Sequence, residues 1–376
     1  MQQPTAVERA QIIQTVFDEN QAAHANTPKF DAYFRLYCSV VCPSSIGNAV
    51  LELNTPVLRN HSDVLKCLRI LVHNPNISFN DFISTVTESG STEVTLTEKK
   101  YIVRVTTHVL LGINCTIQDY GSNANAGSEF QQANWRNDTT FHAFIETVLG
   151  LAGSAVETPE PEQKSRDIVL HKKALKAWKL HQRYGIEIKA TDNLLEHLLL
   201  DTRTMTLKVF HQVSFLRAHL EKTRHEPLNL GLEECLKRGT LPPKLLLETL
   251  LTFHDVLFPI ASVNDTKSLH TLKAMIKKQG FDPEGRWIEF VRDIPPDMSY
   301  TYWGHRLAKL HDFVKRPPPA NAIVAWFERH TSERNALTVA IIGVFLSVIF
   351  GFLSFLVGLL QLILAWKVYN NPPVAP

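Results

Sequence analysis

The sequence predicts a mainly α fold, α+β with minor short strands, followed by a single C-terminal transmembrane helix. Three observations predict it. Apolar residues recur at helical spacing over most of the first 316 positions. Only two short stretches, around Ile186, Ile188 and Ala190 and around Leu207 and Val209, alternate as strands do. The 32 residues between Arg334 and Lys367 carry no charge, and roughly 20 apolar residues suffice to cross a bilayer core as a helix.

Residues 1–150 read as a helical N-terminal region. Segments 6–24 and 29–52 are periodic, with Asn26-Thr27-Pro28 between them. Ser62-Asp63 is placed to cap a helix through Val72, which Asn74-Pro75 ends. Thr95 and Glu98 form a capping box before Tyr101, Ile102, Val105 and Val109; β-branching keeps a strand open for that stretch. Residues 121–137 are loop-like, and 151–165, with Pro159 and Pro161 among acids, read as a linker.

Residues 166–316 read as a mixed α+β region. A basic amphipathic helix over 166–184 precedes the first strand, and Asp192 is placed to cap a helix over 193–200. After the second strand, Pro242-Pro243 opens a helix with Leu246, Leu250, Phe253 and Leu257 on one stripe. Another helix starts at Asp265 and stops at Gly280, with Pro283 beyond. Trp303, Leu307, Leu310 and Val314 mark one more. Residues 317–335 are a Pro-rich and juxtamembrane segment, 336–366 the transmembrane helix and 367–376 a short tail. Whether 1–150 and 166–316 share one core stays open at this level.

Lys309, Lys315, Arg316, Arg329 and Arg334 precede the apolar run and only Lys367 follows it, so the positive-inside rule predicts a cytosolic domain. A helix this near the C-terminus is expected to insert after synthesis ends, as a tail anchor. Trp326, Trp366 and Tyr369 are spaced to sit at the interfaces. Ala336, Ala340, Gly343, Ser347, Gly351, Ser354, Gly358, Gln361 and Ala365 fall within about one quarter of the helix circumference at ~100° per residue. Small residues permit close backbone approach in lipid. The stripe therefore suggests self-association or pairing with another membrane helix; lipid contact alone is the other reading.

The block Leu241 to Pro259, with Gly280-Phe281-Asp282-Pro283, Tyr302-Trp303-Gly304-His305-Arg306-Leu307 and Trp326 through Arg334 into the apolar run, resembles a family of filamentous-fungal, C-terminally membrane-anchored proteins. The resemblance spans about residues 165–370. It implies a fungal anchored protein and carries over no activity and no catalytic residues.

Composition bounds the chemistry. With 44% hydrophobic and 20% charged residues the chain can bury a large core. A net charge of +2 argues against non-specific nucleic-acid binding, which needs a basic face. Cys38, Cys42, Cys67, Cys115 and Cys235 are sparse and odd in number, which fits a reducing compartment. The N-terminus lacks a basic stretch followed by an apolar one, so no secretory leader is expected. The sequons at Asn60, Asn76, Asn114, Asn137 and Asn264 then read as chance matches.

No phosphate loop, no nucleophile elbow and no zinc-protease helix occurs in the sequence. No catalytic residue, cofactor site or metal site is assigned. Cys38 and Cys42 share a helix face but lack a second pair at ligand spacing. His254-Asp255 and His311-Asp312 are neighbours that point ~100° apart on a helix, so they make no dyads; His211 and His219 flank Phe215, and all four histidines read as structural. Lys172, Lys173, Lys176, Lys179 and Arg183 form a basic stripe that either contacts anionic lipid or faces water. These readings favour a non-enzymatic membrane-tethered adaptor or scaffold whose cytosolic protein partner is unknown. The alternatives are an enzyme or accessory of a fungal secondary-metabolite pathway, and a self-recognition or signalling protein that oligomerises through its anchor.

Overall fold

The computed structural model describes residues 1–42, 58–87, 94–114, 135–153, 172–261, 265–296, 298–315 and 336–370. The sequence-predicted linker 151–165 and the segment 317–335 lie almost wholly or wholly outside them, as does most of 121–137. The chain is mostly helical with one small sheet, as the sequence predicts. Met1–Val314 form one compact unit and Lys315–Pro376 a second.

The first unit begins with α1 (Ala6–Val16), α2 (Glu19–Ala22), α3 (Asp31–Val41), α4 (His61–His73), α5 (Phe79–Thr87), α6 (Leu96–Leu111) and α7 (Phe141–Gly153). Capping boxes start three of them. Thr5 and Glu8 cap α1, Thr95 and Glu98 cap α6, and Asn60 with Asp63 caps α4. The cap of α4 is therefore two residues earlier than Ser62. Helix α6 settles the strand alternative: its β-branched residues suit a helix that is surrounded by core. Val103, Val105 and Val109 are buried, and the Thr106 and Thr107 hydroxyls donate 2.8 Å bonds to the carbonyls of Ile102 and Val103. Gly112 ends α6 at φ 66°, in the left-handed region, beneath the rings of Phe210 and Phe215.

The remaining elements are α8 (Ala177–Tyr184), β1 (Glu187–Thr191), β2 (Leu199–Asp201), β3 (Thr206–Phe210), α9 (Val213–Lys222), α10 (Leu232–Lys237), α11 (Pro243–Leu251), α12 (Thr266–Gln279) and α13 (Gly304–Lys315). The sheet order is β1-β3-β2. β1 runs parallel to β3, Glu187 opposite Thr206 through Thr191 opposite Phe210, and β2 pairs antiparallel with β3. The outer edge of β1 is capped by one side chain. The Gln279 amide accepts from Ala190 N at 3.3 Å and donates to the Ile188 carbonyl at 2.8 Å. It occupies the bonds through which an open edge would recruit another strand.

Three local expectations are corrected. Of the helix expected over 166–184, residues 166–171 lie outside the described ones; in the rest, Lys172–Ala174 make one 3₁₀ turn, Lys176 is extended and a helix runs from Ala177, with Leu175 and Ala177 buried. The helix expected over 193–200 is a single 3₁₀ turn, Leu194–Glu196, capped by Asn193; Leu198, at φ 59°, then turns the chain into β2. The stripe that begins in α11 continues as a π-helix over Thr252–Leu257, so Phe253 and Leu257 stay buried with a wider turn.

The two sequence regions share one core. Phe17 packs edge-on against Phe215 at 5.7 Å between centroids, and Tyr33 stacks on Phe215 at 6.2 Å. Polar bonds cross the same boundary. Lys222 Nζ donates to the Val16 carbonyl at 2.6 Å, and Leu194 N to the Gly112 carbonyl at 2.8 Å. Such bonds fix how the apolar surfaces meet, whereas burial of side chains like Phe17 and Tyr33 supplies most of the stabilisation, roughly 25 cal/mol per Å².

A buried carboxylate holds the entry to α13. Glu248 of α11 accepts from the backbone N–H of Thr301 (2.7 Å), Tyr302 (2.8 Å) and Trp303 (3.1 Å). Trp303 then donates its indole N–H to Thr249 Oγ1 at 2.8 Å. Burial pushes the Glu248 pKa up to about 7, against the pull of those three donors.

The second unit contains α14 (Ala336–Asn370). Within it, Ile342–Lys367 are 26 residues long, carry a charge only at Lys367 and are exposed throughout. This is one helix long and apolar enough to span a membrane.

Candidate functional site

The element with the clearest use is α14. From Gly343 to Ala365 the sequence-predicted stripe lies on one side of an uninterrupted helix, by helical geometry alone. Ala336 and Ala340 belong to the same helix. A Cβ added at Gly343, Gly351 or Gly358 would meet nothing within 4 Å. Ser347 Oγ is spent inside the helix, donating to the Gly343 carbonyl at 2.9 Å.

The basic stripe is partly consumed by the fold. Lys172 Nζ pairs with Asp255 at 2.8 Å, and Lys176 pairs with Asp265, the residue that caps α12. Lys179 donates to the Lys173 carbonyl at 2.7 Å and sits over the Trp178 ring, which Lys267 also faces. Burial and the neighbouring Lys176 and Arg183 charges lower the Lys179 pKa. Lys173 and Arg183 remain exposed. The stripe thus anchors α8 and the preceding turn to the π-helix and α12 as much as it faces outward.

A polar cluster among the described residues lies where the parallel strands end. Asp192 follows β1 and His211 follows β3, and the carboxyl ends of adjacent parallel strands are where open α/β sheets place ligands. His211 Nε2 is 3.0 Å from Asp192 Oδ1, which also accepts from Gln212 Nε2 at 2.6 Å. Asp282 N donates to His211 Nδ1 at 3.1 Å, so the hydrogen-bond pattern puts the imidazole proton on Nε2, toward Asp192. Burial acts to raise the Asp192 pKa, but the bonds from His211 and Gln212 outweigh it and hold the carboxyl below its usual value.

Ser214, His211 and two aspartates are together here, and their wiring decides what they do. A nucleophilic serine needs its hydroxyl on the base. Ser214 Oγ instead donates to Asp282 Oδ2 at 2.6 Å, and Ser214 N donates to the same oxygen at 2.7 Å. Asp282 Oδ1 accepts from Glu284 N at 3.0 Å. Ser214 and Asp282 are both fully buried. The cluster is a clamp that joins the sheet end to the segment Gly280–Pro283 and the start of α9. His211 lies just before α9 and not on it; His219 lies on it.

The other histidines are embedded likewise. His197 accepts from Phe210 N through Nδ1 at 3.2 Å, so its Nε2 donates to Thr252 Oγ1 at 2.7 Å. Burial holds its pKa at about 3. His254 in the π-helix is also held at about 3, first by burial and then by the Arg217 charge, while its neighbour Asp255 faces Lys172. His219 packs between Phe17 and Phe215, 4.9 and 4.3 Å away, and burial pushes its pKa far down. His311 is buried on α13.

The thiols face the opposite electrostatics from a reactive cysteine. Burial raises Cys38, pushes Cys42 up to about 11 and pushes Cys67 and Cys235 up to about 12. Among the described residues no three His, Cys, Asp or Glu side chains converge as a metal site would require.

One polar feature had no sequence signal. Arg217 of α9 is buried and turns its guanidinium onto the carbonyls of Glu284 (3.3 Å), Trp287 and Glu289 (3.1 Å). Nothing local in the sequence pairs a helix position with a loop some 70 residues on. Compared with protein-family models, with curated proteins and with solved structures, the chain matches none.

Proposed function

We propose that the protein is a single-pass membrane protein whose folded unit is a non-enzymatic adaptor or scaffold held at a cytosolic membrane face. The observation that carries this reading is α14. Its apolar stretch of 26 residues is exposed at every position, an arrangement that water disfavours and lipid satisfies. The excess of Lys and Arg on the N-terminal side of that stretch supports a cytosolic orientation. The resemblance of Leu241–Pro259 and of the segment into the apolar run to fungal anchored proteins supports the same placement.

The non-enzymatic half of the reading draws on the wiring of the polar groups. Ser214, His211, His197 and Glu248 each spend polar atoms on backbone groups or on structural side chains such as Asp282, Asp192 and Thr252. Self-association through Gly343, Gly351 and Gly358 would use the close backbone approach that glycine permits in lipid.

The test is isolation of the N-terminally tagged chain from native membranes in mild detergent, followed by mass spectrometry for proteins and small molecules. The adaptor reading expects a stoichiometric protein partner that persists when residues 342–367 are deleted. A bound apolar metabolite without a protein partner contradicts it and favours a carrier or enzyme. In the same preparation, Gly351→Leu with Gly358→Leu should abolish anchor-dependent crosslinking between copies; unchanged crosslinking removes self-association from the reading.

A further inference from the structure

Among the described residues of the first unit, Met1, Val7 and Leu96 are exposed singly, and one group of exposed large apolar side chains is clustered. Of the exposed ones described there, Trp287, Ile288 and Ile294 lie within eight residues of each other, at 61%, 38% and 39% exposure. They sit on the irregular segment between the 3₁₀ turn Pro283–Arg286 and α13. A cluster of this kind marks a contact surface more strongly than scattered single residues do.

The backbone beneath them is fixed. Arg217 binds the carbonyls of Glu284, Trp287 and Glu289 from below. Arg292 reaches back to the carbonyls of Thr223, at 3.1 Å, and Glu226. Phe290 turns inward toward His254, its ring 6.1 Å away. The loop is thus held by two guanidinium groups with its Trp facing out.

The chemistry of the patch selects its occupant. The exposed charged side chains beside it are Arg286, Glu289 and Asp293, while Arg292 is committed to carbonyls. There is no net positive charge to draw anionic headgroups. Trp and Ile favour the boundary between headgroups and acyl chains through their apolar surface, Trp with its N–H left in the wet layer. The same chain carries a helix that fits a bilayer, so a lipid surface is present at high effective concentration and a contact of few side chains suffices.

We propose that Trp287 and Ile288, with Ile294, dip into the headgroup–acyl boundary of the bilayer that the C-terminal helix spans, as a second membrane contact. The proposal rests on the membrane-anchored reading of α14. The test uses the full chain reconstituted in phosphatidylcholine vesicles, with Trp287→Phe as the reference. Phe keeps the apolar surface, so the difference in fluorescence isolates Trp287 among the six tryptophans.

The expected result is that this difference signal is quenched by lipids brominated near the glycerol end of their chains. Its quenching by aqueous iodide should fall several-fold relative to the detergent-solubilised chain. Both effects should be unchanged when anionic lipid is added. If Trp287 stays open to iodide and blind to bromolipid while the chain resists carbonate extraction, the proposal fails and the anchor stands. If Trp287 is shielded from both quenchers, protein covers it and the proposal also fails. If carbonate extracts the chain, the anchored reading fails, and the proposal with it.

Discussion

Replacing Glu248 by alanine should destabilise the first unit by about 3 kcal/mol near pH 5 and by distinctly less at pH 8. The substitution strips an acceptor from three backbone donors, of which the Trp303 N–H is buried and the Thr301 and Tyr302 N–H groups are partly so. An orphaned buried donor costs ~1–3 kcal/mol. The pH dependence follows from the carboxyl itself. Its folded pKa of about 7 lies above the unfolded value of 4.5. The folded state therefore holds the proton more tightly, and the contribution is complete below pH 4.5 and is lost as the pH rises to about 7. Urea titrations of the full chain in detergent, followed by Trp fluorescence, measure both effects. The wild type should lose stability over that window, and the variant should lose less. A cost that is equal at pH 5 and pH 8 would mean that Glu248 does not titrate there.

Asp282→Ala should cost still more, about 4 kcal/mol. It orphans the Ser214 N–H and hydroxyl and the Glu284 N–H at a fully buried carboxylate. Asp282→Asn, which keeps one acceptor oxygen, should lose about half as much. Ser214→Ala alone should be mild, because it leaves Asp282 with two backbone donors. The double variant should be less destabilised than the sum, by about 1–2 kcal/mol of coupling, since the two side chains share one bond. Strict additivity would contradict the clamp. A selective loss of helix α12 or β1, read by hydrogen exchange, would locate the damage where Asp282 sits between the sheet end and α9.

Much of this architecture is legible in the sequence because its signals are local. The Thr95/Glu98 capping box starts α6, and Asp265 and Gly280 bound α12 as cap and left-handed stop. The Trp303, Leu307, Leu310 and Val314 stripe is the buried face of α13. The two alternating stretches became β1 and β3. What the sequence hides is pairing at a distance. Glu248 meets Trp303 across 55 positions and Ser214 meets Asp282 across 68, and no pattern within either segment announces its partner. β2, only Leu199–Asp201, is too short to show alternation and exists because β3 offers it an edge.

The candidate site divides the same way. The apolar length of α14 and the spacing of its glycines are one-dimensional facts, so both are readable from the residues alone. The basic stripe is readable too, but not that Asp255 and Asp265 would take Lys172 and Lys176. The Trp287 loop is not legible in the same way, because an exposed Trp cannot be told from a buried one by sequence. Its position is set by Arg217 and Arg292, which come from elsewhere in the chain or reach elsewhere.

The most direct test of the account is alkaline carbonate extraction combined with protease protection of membranes that carry the N-terminally tagged chain. Integration of α14 with a cytosolic first unit predicts that the chain stays in the carbonate pellet. It also predicts that protease added to sealed vesicles, cytosolic face outward, removes residues 1–314, and that deleting 342–367 releases the chain to the supernatant. Extraction of the intact chain by carbonate would contradict the membrane-spanning claim. Protection of residues 1–314 within sealed vesicles would contradict the orientation.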